Sequence, residues 1–289
     1  MIVPAFLAAY QRPVLAEIER LVTLGGRSDS AVERSMAYTA LAPSKQVRAA
    51  LVLLCAELCR GSVERAVPAA AAIELVHASS LILDDLPSMD DAPLRRGRRA
   101  NHLEFGEAVA ILAAFGLLNL AYGSIARAYE PALASSMASR ISDAVGPAGL
   151  IGGQALDLEA TSRPIDFETL ERIHRGKTGA LFVAAAACGA LAAGAAAEPI
   201  AALSAYAKNL GLAFQIVDDL LDVSGDPQET GKAVRADARK TTFVSFSGVE
   251  GARQLAVELC DTADRALAPF GAKADRLREL SRFVAARRM

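Results

Sequence analysis

Residues 69–91 read AAAAIELVHASSLILDDLPSMDD, and residues 214–226 read FQIVDDLLDVSGD. Each is a long apolar run without two-residue alternation that stops abruptly in aspartates. The first predicts a helix from about Val63 to Asp84. The second predicts the end of a helix that follows Pro199, through IAALSAYAKNLGLAFQIVDDLLD. Carboxylates are favoured at helix N-termini and repelled by the dipole at C-termini. Two apolar helices that each close on adjacent carboxylates are better explained by bound cations than by solvated caps.

Helix signals recur outward from these two stretches. Pro13 opens VLAEIERLV, which stops at Gly25-Gly26, and Ser30 is placed to cap AVERSMAYTALA. Further helices are expected over about Gln46–Cys59, Glu104–Tyr129, Val249–Leu267 and Ala274–Arg288. Asp166 reads as an N-cap, followed by a helical pattern that runs from Phe167 into the Ala-rich stretch Gly179–Ala197. Composition agrees: 53% of the 289 residues are hydrophobic, 22% charged and 5% aromatic, and Trp is absent. A disordered chain is excluded by that apolar content. The 21 Gly and 12 Pro leave long Pro-free stretches, which argues against a β-sandwich, and no sheet is expected. The expectation is an all-α, single-domain helical bundle over residues 1–289.

The net charge of −2 predicts no nucleic-acid partner. MIVPAFLAAYQRPVLAEIER lacks a basic start and a cleavage site, so it is not read as a signal peptide. Gly179–Ala197 is uncharged and long enough to span a bilayer, yet its Ala and Gly partition weakly into lipid. It is read as a central buried helix, with no stable membrane insertion. Cys55, Cys59, Cys188 and Cys260 have no metal-binding spacing and read as reduced, buried thiols, which points to a cytoplasmic protein.

The acidic clusters specify their cation. Asp84, Asp85, Asp90 and Asp91 form the first; Asp218, Asp219 and Asp222 form the second. Sites made only of carboxylates suit a hard cation, so magnesium is favoured over zinc. Magnesium takes few protein carboxylates and fills its shell with phosphate, which implies a polyphosphate substrate. Asp218 and Asp222 share a helical face. Asp84 and Asp90 do not, but Pro87 breaks the helix and lets the chain bulge back toward Asp84. Basic groups lie beside both clusters: Lys45 and Arg48; Arg95, Arg96, Arg98 and Arg99; Arg175 and Lys177 with Thr178; Lys232, Arg235, Arg239 and Lys240. Arginine suits bidentate phosphate contact and lysine point-charge contact.

From about Ala42 to the C-terminus the sequence resembles the trans-isoprenyl diphosphate synthases, or polyprenyl synthetases. DDLPSMDDAPLRRG and FQIVDDLLDVSGD are similar to the two aspartate-rich motifs of that family, with HASSL and GKTG in register. ALAPSKQVR and FGEAVAILAA are similar to bacterial geranylgeranyl diphosphate synthases of carotenoid pathways. The resemblance implies an all-α fold around a deep central cavity, a homodimer, and 1′–4 condensation of isopentenyl diphosphate with dimethylallyl, geranyl or farnesyl diphosphate. It implies that Asp84, Asp90 and Asp218 hold three magnesium ions, with Asp85 and Asp222 in support. It assigns Arg95, Lys177 and Lys232 to the allylic diphosphate. Lys45, Arg48, His77 and Arg96 are assigned to isopentenyl diphosphate, and Thr178 and Gln215 to the reacting carbons.

Ser80 and Ser79 stand four and five residues before Asp84, where the product tail would grow. Farnesyl-making relatives commonly carry an aromatic at the Ser79 position. Two small residues imply a deeper pocket and geranylgeranyl diphosphate as product, with farnesyl diphosphate as the alternative. Val76, Ile73 or Phe115 on the facing helix would then form the floor. Ser79 as a plain packing residue is the other reading. The chain departs from the family at Pro43-Ser44 and Gln46, where two glycines and an arginine are usual, which implies weaker isopentenyl diphosphate binding. The competing readings are a non-catalytic regulatory subunit, a class I terpene cyclase and a helical binding module. Retention of both motifs opposes the first, the second diphosphate site opposes the second, and the acid clusters oppose the third.

Overall fold

The computed structural model describes residues 5–23, 30–161, 164–224 and 241–286. The fold is all-α. In chain order the helices are α1 (Ala5–Val22), α2 (Ala31–Ala40), α3 (Val47–Leu58), α4 (Val63–Asp84), α5 (Asn101–Phe105), α6 (Glu107–Ala128) and α7 (Pro131–Val145). They continue with α8 (Leu150–Ala160), α9 (Phe167–His174), α10 (Ala180–Ala192), α11 (Ala197–Ser224), α12 (Phe243–Ala266) and α13 (Asp275–Ala285). A π-helical turn, Arg175–Gly179, joins α9 to α10, and a 3-10 turn, Ala268–Ala274, joins α12 to α13. A short antiparallel hairpin pairs β1 (Leu94–Arg95) with β2 (Arg98–Arg99), which the sequence pattern did not lead one to expect.

Helix α4 has the bounds expected of it, capped by the Ser62 hydroxyl on the Arg65 N–H. Ser30 forms a full capping box with Glu33, and Asp166 caps α9 through the Thr169 N–H at 2.8 Å. Elsewhere the expected bounds move. Helix α1 starts at Ala5 with Pro13 inside it, because Leu7, Val14, Ile18 and Leu21 form one buried stripe across the proline. Pro199 likewise lies within the first turn of α11, where no N–H is required of it. Gly106, at φ 84°, separates α5 from α6 where one helix was expected, and Gly248, at φ 68°, kinks α12 just before Val249. Helices α7 and α8 were not anticipated, since Gly146, Pro147, Gly149, Gly152 and Gly153 obscure their pattern.

The core lies where α4 meets α3, α6 and α10, and where α10 meets α11. Small residues set the spacing of its centre: Ala69–Ala72 of α4 and Ala185–Ala187 of α10 are fully buried. Backbone contact is close enough that a Cβ on Gly189 would lie 2.1 Å from the Val52 carbonyl. The Ala-rich stretch is therefore an inner helix of the bundle through Ala192, as expected. Val63–Asp84, Glu107–Ala128 and Ala197–Val223 are long and apolar enough to cross a membrane by length and composition. A smaller cluster of Leu170, Ile216, Val217, Leu220, Phe243, Ala252 and Ala256 ties the end of α11 to α9 and α12. This cluster fixes the end of α11 that carries the second acidic motif.

Candidate active site

Both acidic motifs are anchored on the π-helical turn. Lys177 Nζ lies 3.1 Å from Asp84 Oδ1, at the end of α4, and 2.9 Å from Asp157 Oδ2 on α8. The next residue, Thr178, donates its hydroxyl to Gln215 Oε1 at 2.8 Å, and Gln215 Nε2 donates to Asp219 Oδ1 at 3.0 Å. Asp219 Oδ2 accepts the backbone N–H of Phe243 at 3.1 Å, at the start of α12. One turn of backbone thus reaches four helices. Its approach to α8 requires glycine, since a Cβ on Gly153 would lie 2.2 Å from the Lys177 nitrogen.

The first motif turns back on itself as Pro87 implied. The Asp90 N–H donates to the Asp84 carbonyl at 3.0 Å, and the Asp91 N–H to the Leu86 carbonyl at 3.1 Å. Asp90 therefore returns to the helix end it left. Asp85 is buried and points to Arg95, which offers Nε at 2.9 Å to Oδ1 and 3.1 Å to Oδ2, with a further contact from Nη2. Arg95 also lies 3.7 Å from Asp84. Burial opposes the guanidinium charge, but the hydrogen bonds and charge of Asp85, with Asp84 and Asp90 behind it, hold the Arg95 pKa above its ordinary value.

A second basic group lies around the start of α3. Arg48 is buried, 3.4 Å from His77 Nε2, with its guanidinium 4.7 Å from the Phe182 ring centre and 5.8 Å from that of Phe214. Lys45 Nζ lies 5.8 Å from the Phe283 ring centre of α13. Arg96, left-handed at φ 55°, donates to the Ala42 carbonyl at 3.4 Å. Burial, reinforced by the charges of Arg48, Arg96 and Arg95, pushes the His77 pKa well below the usual histidine range, so the ring is neutral. The hairpin therefore presents Arg95 to the first acidic motif and Arg96 toward the α3 group.

Ser79 is buried and donates its hydroxyl to the Ala114 carbonyl at 2.8 Å, so it ties α4 to α6. Ser80 donates to the His77 carbonyl. Val76 and Ile73 are buried below them, but Phe115 is 64% exposed, which removes it as a floor residue within this chain. His102 packs in the core, and His174 stacks on Phe243 with ring centres 5.1 Å apart. Lys232, Arg235, Arg239 and Lys240 lie outside the described residues.

Sequence reasoning missed Asp157. In GGQALDLEA it lies, with Glu159, on an unforeseen helix and outside both aspartate clusters. Its signal is the glycine pair one turn earlier, which brings α8 against the Lys177 backbone. Asp84, Asp90, Asp157, Asp218 and Asp222 offer oxygen donors only. Asp84 and Asp157, from separate helices, already converge on the single positive charge of Lys177. That donor set fits a hard divalent cation. Among the described residues, no three acids are clustered closely enough to form a metal centre by themselves.

The profile of the polyprenyl synthetase family matches residues 29–261. The chain belongs to that family. It is 44% identical to the farnesyl diphosphate synthase of Escherichia coli K12 over 82% of this chain and 81% of that one. It is 37% identical to the geranylgeranyl diphosphate synthase of Cyanophora paradoxa over 95% and 94% of the two chains. A crystal structure of the Helicobacter pylori geranyltransferase, complexed with magnesium and isoprenyl diphosphate, superposes with a TM-score of 0.84 at 27% identity, covering 98% of this chain and 97% of that one. The protein is a short-chain trans-prenyltransferase of the isoprenoid synthase fold.

Proposed function

We propose that the enzyme condenses isopentenyl diphosphate with dimethylallyl, geranyl or farnesyl diphosphate and releases geranylgeranyl diphosphate. The observation that carries the chain-length reading is the pair Ser79 and Ser80 beside the first motif, with Ser79 drawn into a hydrogen bond to α6 rather than projecting a bulky ring. Asp84, Asp90 and Asp218, supported by Asp222 and Asp157, would hold three magnesium ions, and Asp85 serves as the counter-charge of Arg95. Bound magnesium supplies Lewis-acid stabilisation of the charge that develops on a departing diphosphate. Arg95, Lys177 and Lys232 bind the allylic diphosphate. Lys45, Arg48, His77 and Arg96 bind isopentenyl diphosphate and set the attacking double bond against the allylic carbon. Thr178 and Gln215 line the reacting carbons.

A homodimer is supported by the exposed Ile111, Leu112 and Phe115 on α6 and Ile151 and Leu158 on α8, apolar side chains that a second copy would cover. Four free cysteines agree with a reducing cytoplasm. Farnesyl diphosphate as end product is the second reading, favoured by the Escherichia coli relative. The deciding experiment incubates the enzyme with magnesium, isopentenyl diphosphate and each allylic primer, then separates the dephosphorylated alcohols. Geranylgeraniol, abolished by chelation, is the expected product. Farnesol as the end point would overturn the chain-length reading, and no elongation from any primer would overturn the catalytic one. Sedimentation at micromolar concentration tests the dimer, and a monomer would refute it.

A further inference from the structure

The segment that carries Lys45 is held in an unfavourable shape. Gln46, the residue before α3, is left-handed at φ 47° and ψ 42°, a region that disfavours a side chain larger than hydrogen. Gln46 is buried, and its Oε1 accepts no hydrogen bond among the described residues. Pro43 and Ser44 stand just before it, in place of the usual glycines. Such a backbone conformation persists only where its surroundings impose it.

The hairpin, α13 and α1 all reach this segment. Arg96 donates to the Ala42 carbonyl at 3.4 Å, and the Phe283 ring centre lies 5.8 Å from Lys45 Nζ. From α1, Gln11 Nε2 donates to the Ser44 carbonyl at 3.0 Å. That carbonyl and the Lys45 nitrogen belong to one planar peptide unit, so the bond fixes the plane from which the Lys45 side chain departs. Gln11 acts from a firm base. Leu7, Val14, Ile18 and Leu21 bury α1 in the core, and the neighbouring Tyr10 donates its hydroxyl to Glu57 in the last turn of α3. Helix α1 is thus bonded to α3 as well as to the segment that leads into it.

We propose that Gln11 is a positioning residue for isopentenyl diphosphate: its amide fixes the Ser44–Lys45 peptide and thereby the place at which the Lys45 ammonium meets the diphosphate. This rests on the assignment of Lys45 to isopentenyl diphosphate made above. The Gln11 amide bonds to the backbone, so it acts through Lys45 rather than on the substrate.

The test is initial-rate kinetics of Gln11→Met with one diphosphate varied and the other saturating, beside thermal melting. Methionine matches glutamine in length and lacks the donor. The expected result is a rise in KM for isopentenyl diphosphate of about fivefold, the effect of one hydrogen bond, with kcat and the allylic KM within about twofold of the parent. In a Lys45→Ala background the same substitution should move that KM by less than about twofold, because the group it positions is gone. An unchanged isopentenyl KM in Gln11→Met, a parallel change in both KM values, or the full rise in the Lys45→Ala background would overturn the inference and leave Gln11 a packing residue. Should Gln11→Met prove insoluble, Gln11→Asn keeps the amide one methylene further back, and the same KM should rise by a smaller factor; no rise would overturn the inference. Lys45→Ala alone separates the two levels. If it leaves the isopentenyl KM unaltered, the binding-site assignment fails. If it raises that KM while Gln11→Met does not, only the role of Gln11 fails.

Discussion

Asp85 and Asp219 are each the second aspartate of an Asp-Asp pair that ends an apolar helix, and both are buried. Their surroundings differ. Asp85 is met by a guanidinium, that of Arg95, and lies beside an aspartate held by Lys177. Asp219 accepts hydrogen bonds from the Gln215 amide and the Phe243 backbone N–H. The first motif has its charge opposed by cations from the hairpin and the π-helical turn. The second uses Asp219 to join its own helix to the start of the helix that follows. One sequence pattern thus has two physical solutions, and they differ in what a substitution leaves behind.

Asp85→Asn should have the largest effect on folding. It removes the carboxylate that meets Arg95 most closely and leaves Asp84 at 3.7 Å, a loss of about 3 kcal/mol, the low end for breaking a buried pair, to be read as a shift in the urea midpoint. A loss below that of Asp219→Asn would break the comparison. Next is Lys177→Met, which removes the cation shared by Asp84 and Asp157. Turnover should fall roughly 10²–10³-fold while the helical circular dichroism is kept; activity near that of the parent would remove Lys177 from the machinery. Asp219→Asn keeps one acceptor and turns an N–H toward a donor. A loss of about 1–3 kcal/mol is expected, and the absence of any loss would mean that the start of α12 does not depend on this carboxylate.

The smallest effect belongs to the basic group around α3. The His77 pKa is lowered in the folded protein, so as pH falls through about 6.5 the unfolded chain binds a proton that the folded one refuses. Stability should therefore drop with falling pH, by at most about 1.4 kcal/mol per pH unit from this group. The comparison is between the parent and His77→Asn, melted from pH 7 to 5; equal slopes would mean that His77 is protonated in the fold.

Local sequence chemistry accounts for part of the scaffold and for part of the arrangement of the candidate site. Helix α4, the Ser30 and Asp166 caps, and the return of Asp90 to Asp84 follow from local chemistry that a single strand of text records. Helix α8 does not, because its glycines serve contact with the π-helical turn and read locally as breakers. Asp157 was hidden with it. Asp219 was visible as part of the motif, but its capping of α12 depends on a residue 24 positions away. The assignments of Lys45, Arg48 and Arg96 came from family resemblance, and the bond from the Ala49 N–H to a buried Glu74 needed coordinates, since nothing in IELVH marks a glutamate as buried.

The π-helical turn has a mechanical consequence. Lys177 addresses the first motif and Thr178 the second, and they are consecutive residues. The two poles of the site are therefore tethered to neighbouring Cα atoms, about 3.8 Å apart, a covalent length. Helices that breathe against one another as the bundle warms leave this tether as long as it was.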